Sequence, residues 1–121
     1  MIDNREDILA YLKGFTQYTY HNNVPNFKDS NYPKTSYFLK NNYDDDFRDG
    51  VAYANVGEYV VQVFEKVING KLIEIHKNIL KKFKSEGYAQ IGFDYFFDEE
   101  DKVHIYTFRF RKKNLYEEGE L

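Results

Sequence analysis

The chain has 121 residues, enough for one domain that buries roughly two-thirds of the surface its unfolded form exposes. It contains no cysteine, which excludes disulfide staples and thiolate metal sites, and its formal net charge of −3, with acidic and basic residues interspersed, excludes a strongly basic nucleic-acid-binding field. No run approaches the ~20 consecutive apolar residues of a membrane-spanning helix, and the opening Met1-Ile-Asp-Asn-Arg-Glu-Asp7 lacks the basic and apolar parts of a signal peptide, so the protein is expected to be soluble and to stay where it is made.

In chain order, Asp3 followed by Glu6 reads as a capping box, and Ile8, Leu9 and Leu12 line one face of a helix over 4–13, with Gly14 offering a left-handed stop. Residues 15–33, rich in Asn, Tyr and Pro, read as a loop with one short strand around Tyr18 and Tyr20. Thr35–Lys40 is a strand, and the polar run Asn41–Gly50 is expected to be an exposed acidic loop. Residues 51–66 form the next strand. In Tyr59-Val-Val-Gln-Val-Phe64 apolar side chains fall on both faces, which predicts a central strand covered from two sides.

Asn69-Gly70 opens the clearest helix. Leu72, Ile75, Ile79, Leu80 and Phe83 recur at helical spacing, Lys77, Lys81, Lys82 and Lys84 face water, and Gly87 ends it. Two strands follow, Tyr88–Phe97 and Lys102–Arg111, joined by an acidic turn at Asp98–Asp101. Ala89, Ile91, Phe93, Tyr95 and Phe97 share a face of the first, and Tyr106, Phe108 and Phe110 a face of the second, so the pair reads as an antiparallel hairpin. A polar tail, expected to be flexible, occupies 112–121. The fold class predicted is α+β: a single domain over 1–121 with a mixed, mainly antiparallel sheet of about four or five strands and two helices packed on one face.

No catalytic motif emerges. Ser30, Ser36 and Ser85 lie outside any nucleophile elbow, and His21, His76 and His104 stand alone without the i, i+4 pairing of a helical zinc site. A calcium loop begun at Asp45 puts Gly50 at position six but Phe47 at three and Val56 at twelve, so the register fails where ligands are required. Asp94 with Glu100-Asp-Lys102 faintly resembles the acid and Glu-x-Lys set of Mg²⁺ nucleases, but at a turn rather than on a strand. No glycine pattern cradles phosphate. The expectation is therefore no enzyme, no metal and no cofactor.

Twelve Tyr and eleven Phe without Trp suit a protein–protein interface, and equally the residue bias of AT-rich coding. The residues expected at a self-contact are Tyr59 and Val61, on the doubly apolar strand, and the charged rim of Asp44, Asp45, Asp46 and Arg48. Arg109 and Arg111, which share the face opposite Tyr106, Phe108 and Phe110, are expected to form ion pairs across that contact.

Taken in order, the short helix ending in Tyr11-Leu-Lys13, the Val24-Pro25 loop, Tyr32-Pro-Lys-Thr-Ser-Tyr-Phe-Leu39, Tyr59-Val-Val-Gln-Val-Phe64, the amphipathic helix, Gly87-Tyr88, Asp94-Tyr95 and His104-Ile-Tyr-Thr-Phe-Arg-Phe-Arg111 resemble the tail terminator, or tail completion, proteins of long-tailed bacteriophages. The resemblance covers nearly the whole chain and rests on element order rather than on one diagnostic motif. It implies a homo-hexameric ring in the virion that caps the tail tube, ends its polymerisation and joins it to the head-side connector or neck protein. Phage DNA would pass through the channel without specific binding, and no membrane is involved. The acidic Asn41–Gly50 segment has no counterpart in that layout. Two alternatives stay open: a neck or head-closure protein of the same particle, and a small metal-dependent enzyme using the acidic clusters.

Overall fold

The computed structural model describes residues 1–23 and 25–117. It contains α1 (Arg5–Lys13), β1 (Tyr18–His21), β2 (Lys34–Arg48), β3 (Val51–Glu65), α2 (Gly70–Ser85), β4 (Ala89–Asp98) and β5 (Val103–Leu115). The strands form one five-stranded sheet in the order β1-β2-β3-β5-β4, antiparallel except for the parallel pair β1–β2. The expected α+β class, strand number and mainly antiparallel mixed sheet are observed.

Both helices cover the same sheet face. Tyr59, Val61 and Val63 of β3 and Phe108 and Phe110 of β5 form one continuous core with Ile8 and Leu12 of α1 and Leu72, Ile75, Ile79 and Phe83 of α2. Phe83 stacks on Phe110 at 4.3 Å between centroids, and Tyr88 and Tyr11 meet Phe83 edge-on. Pairs of this kind add about 0.5–1.5 kcal/mol beyond their burial.

The helix ends explain their lengths. Asn69 caps α2, its Oδ1 accepting from Leu72 N at 3.0 Å, and Gly87 at φ +88° turns the chain out of the helix into β4. At α1 the expected arrangement is corrected. The N-cap is Asn4, whose side chain makes no capping bond; Asp3 instead accepts from Arg5 N at 3.0 Å, and Gly14 has φ −73° rather than a left-handed conformation.

The largest correction concerns Asn41–Gly50. It is no loop: β2 runs through it to Arg48, pairing with Val51–Glu58 of β3 past an irregularity between Leu39 and Asn41. Asp49 (φ +52°) and Gly50 (φ +79°) make the tight reversal, with the positive φ at both positions that two-residue hairpins favour. Aspartate and asparagine are poor strand formers on average, but here cross-strand hydrogen bonds to side chains outweigh propensity. Likewise the expected polar tail is strand as far as Leu115, where β5 pairs with Ala54. The remaining tail, 118–121, lies outside the described residues, as does Val24 of the Val24-Pro25 loop.

Candidate assembly surface

In the antiparallel register, cross-strand partners share a face. The face away from the helices carries Ser36, Gln62, Thr107 and Asp94 in one row. Gln62 anchors it, with its Oε1 3.4 Å from Ser36 Oγ and its Nε2 donating to Thr107 Oγ1 at 3.2 Å. At the end of the row Asp94 accepts from Arg109, which reaches it from the neighbouring pair of positions. Arg109 and Arg111 thus lie opposite Phe108 and Phe110 as expected, and Arg109 spends its charge within the chain.

The apolar residues that β3 presents on this outer face are also covered from within. Phe64 is 3% exposed because Phe27, on the segment that straps the face between β1 and β2, packs against it at 5.2 Å. Val60 lies between its cross-strand neighbours Phe38 and Arg109. The strap is held by a buried lysine. Lys34 is fully buried, donates to Asp29 Oδ1 at 2.5 Å and to Asn31 O at 2.7 Å, and has the rings of Tyr32, Tyr18 and Tyr20 within 4.7–5.9 Å. Lys34 and the Asn31 backbone N–H hold the Asp29 carboxyl below the usual carboxylate range.

This corrects the expectation for Tyr59 and Val61. Both point into the helix-covered core, at 1% and 0% exposure, and are closed to any partner. The inference from two apolar faces to a second copy failed because the strap was not visible in the periodicity.

The acidic residues of the arm formed by β2 and β3 are satisfied locally as well. Asp44 accepts from Tyr116 Oη at 2.6 Å and Asn55 Nδ2 at 2.9 Å, which lowers its pKa; Asp45 lies 3.6 Å from Lys113 Nζ, and Asp46 bonds Arg48 Nη2 at 3.1 Å. Arg48 also sits over the Tyr53 ring. Below them Asn42 and Asn55 exchange side-chain hydrogen bonds at 2.8 and 2.9 Å, and Asn4 with Asn114 at 2.9 and 3.2 Å. Ile2 joins them, its N donating to Asn55 Oδ1 at 3.0 Å and its O accepting from Asn42 Nδ2 at 3.3 Å, which ties the first residues to the arm.

Exposed aromatics gather along one edge of the sheet. β4 pairs only with β5, and along it Ile91, Phe93, Tyr95 and Phe96 are 41%, 39%, 48% and 63% exposed. A bulge between Gln90 and Gly92 moves Ala89 to the face opposite Phe93, so the expected single face of Ala89 through Phe97 holds only from Phe93 onward. Phe93, Tyr95 and Phe97 lie on the helix side and Phe96 on the outer side. α2 extends this surface: His76 packs on Phe93, Tyr106 and Phe108 at 5.0–5.2 Å, and Ile73, three residues earlier, is 46% exposed. Burial pushes the His76 imidazole below its ordinary pKa. The sequence signal for the edge was present, in the dense aromatics of β4, but which strand is outermost is a property of sheet order.

Asp94, committed to Arg109, lies four residues before the turn, about 13 Å along the strand from Asp98, so the nuclease-like set is not gathered into one place. Among the described residues no group of three or more His, Asp or Glu side chains is placed to hold a metal ion. Of the remaining histidines, His104 bonds Tyr95 Oη at 2.6 Å and His21 stacks on Tyr37 at 4.9 Å. Among the described residues, no helix is long and apolar enough to cross a membrane.

The described residues thus combine a closed core with an exposed aromatic sheet edge. No protein-family model matches the chain, and no curated protein matches it.

Proposed function

We propose that this chain is a ring-forming structural subunit of a long-tailed bacteriophage, a tail terminator that caps the finished tube and presents its other surface to the head-side connector. The single observation that carries the assembly reading is β4: an edge strand of ten residues with Ile91, Phe93, Tyr95 and Phe96 exposed on a domain whose core is otherwise closed. Natural sheets normally blunt such an edge, and one left aromatic on both faces is suited to pairing with another chain. The terminator assignment rests on the order of elements quoted above, which implies a hexamer in the virion. The net charge of −3 suits a channel through which DNA slides without sticking.

The test is tube polymerisation. Added to the tube protein of the same particle, the chain is expected to shorten the tubes and to appear as a ring at one end in electron micrographs. Unchanged tube length with no chain bound would overturn the terminator reading, and binding only to the connector would move the protein to the neck.

A further inference from the structure

We infer that the ring closes by adding the β4 edge of one copy to the β1 edge of the next, with the acidic β4–β5 turn seated at a basic pocket of that neighbour. This rests on the ring reading above and specifies its contact.

Three independent features of the fold point to this pairing. The first is strand direction. β1, β2 and β5 run one way and β3 and β4 the other, so when copies stand side by side about an axis along the strands, β4 meets the next β1 antiparallel. Antiparallel pairing is the slightly more stable ladder, and one heterologous contact covers the whole of β1 together with Phe93–Phe96 of the β4 edge.

The second is register. Tyr18, Lys34, Phe64, Ile105 and Phe96 form one row across the sheet, and Thr19, Thr35, Val63, Tyr106 and Tyr95 the next. With copies level, Phe96 falls opposite Tyr18 and Tyr95 opposite Thr19 of the neighbour. The outer-face aromatics meet each other, and the helix-side residues do likewise. A slip by one residue would cross the faces and is disfavoured.

The third is charge. The β4–β5 turn carries Asp98, Glu99, Glu100 and Asp101, with Glu99 and Glu100 exposed. At the same end of the sheet, just before β1, lies an open pocket of about 330 Å³ between Lys13 and Lys71, with Gln17, Tyr18 and Tyr32 in its walls. Pairing β4 with the next β1 in level register carries the acidic turn past Tyr18 toward that pocket. A second β4 as occupant would pair antiparallel with its acidic turn at the opposite end of the contact, leaving neither turn at a basic pocket and both β1 edges open.

The chain has no cysteine, so single cysteines report the contact cleanly. Thr19→Cys and Tyr95→Cys proteins are made separately, checked for folding by circular dichroism, mixed at high concentration and oxidised, while sedimentation follows assembly. The expected result is a disulfide-linked dimer in the mixture and none in either protein alone. A second pair, Glu99→Lys with Glu100→Lys, is expected to lose the linked dimer, and Lys13→Glu in the Thr19→Cys partner to restore it. A linked Tyr95→Cys homodimer would show β4 pairing with β4 and overturn the inference. Rings that form without the mixed disulfide, whether Thr19→Cys or His21→Cys is the partner, would overturn the edge pairing and leave the ring reading standing. Protein that remains monomeric at every concentration even with the tube protein present, with no linkage, overturns both.

Discussion

The phenol ring of Tyr59 lies directly over Gly57, two positions earlier on the same face of β3, so closely that a Cβ at 57 would stand 2.7 Å from the ring. Tyr59 is held there by Asn4: its hydroxyl accepts from Asn4 N at 2.9 Å and donates to Asn4 Oδ1 at 3.1 Å, joining the start of α1 to the central strand. Gly57→Ala must push the ring away and is expected to cost on the order of 1–3 kcal/mol in chemical denaturation, the usual penalty of overpacking.

The two buried tyrosine hydroxyls should respond oppositely to removal. Tyr59→Phe leaves the Asn4 backbone N–H without its partner and is expected to cost about 1–3 kcal/mol. Tyr88 Oη is buried without a hydrogen-bond partner among the described residues, and burial pushes its pKa far upward. Tyr88→Phe is therefore expected to be neutral or stabilising in the same measurement.

Core and surface on α2 separate as sharply. Ile79→Ala and, on β5, Phe108→Ala each empty a fully buried site and are expected to cost on the order of 2–5 kcal/mol. Lys81, exposed on α2, should tolerate alanine with a change within about 0.5 kcal/mol. Equal losses at all three positions would show that the helix does not present this face to the sheet.

The buried Lys34 sets a test of the strap. Lys34→Ala opens a gap among Tyr18, Tyr20 and Tyr32 and should cost about 2–5 kcal/mol, whereas Lys34→Met, which keeps the volume, should stay within about 1.5 kcal/mol because a buried ion pair adds little net stability. Asp29→Asn keeps the ammonium buried and removes its counter-charge, so it should destabilise more than Lys34→Met. Thermal melts of the three proteins check the order.

His76 predicts a pH dependence. Its folded pKa is depressed below the unfolded value near 6.5, so it contributes stability that is present above that value and lost as pH falls through the folded pKa. The melting temperature should begin to fall as pH drops below about 6.5, and His76→Phe should flatten that part of the profile. Asp3, Asp29, Asp44 and Glu86, whose pKa values are lowered by Arg5, Lys34, Tyr116 and Lys82, begin to lose their contributions only as pH falls through the ordinary carboxylate range and finish below it, so the two windows are separable.

The arm gives a local prediction. Asp44→Lys breaks the bonds from Tyr116 and Asn55, so amide exchange at Leu115 and Tyr116 should rise while the protection of Val61 and Phe108 is unchanged. A uniform rise across the domain would mean that the arm supports the whole fold.

The local pattern by itself determined the two helices, the hairpin of β4 and β5, and the core stripe of Leu72, Ile75, Ile79 and Phe83, because a single face repeating at 3.6 or 2 residues is written into neighbouring positions. It misread Asn41–Gly50, since the polar strand of the arm is stabilised by partners 11 to 72 residues away, Asn55 and Tyr116 bonding Asp44. It also misassigned Tyr59 and Val61, because a second apolar face on β3 looks the same whether a strap or another copy covers it. Only the tertiary structure decided that Phe27 and the bonded Lys34 close that face from within, and that β4 is the strand left at the edge. Sheet order is set by contacts between residues far apart in the chain, and no local periodicity encodes it.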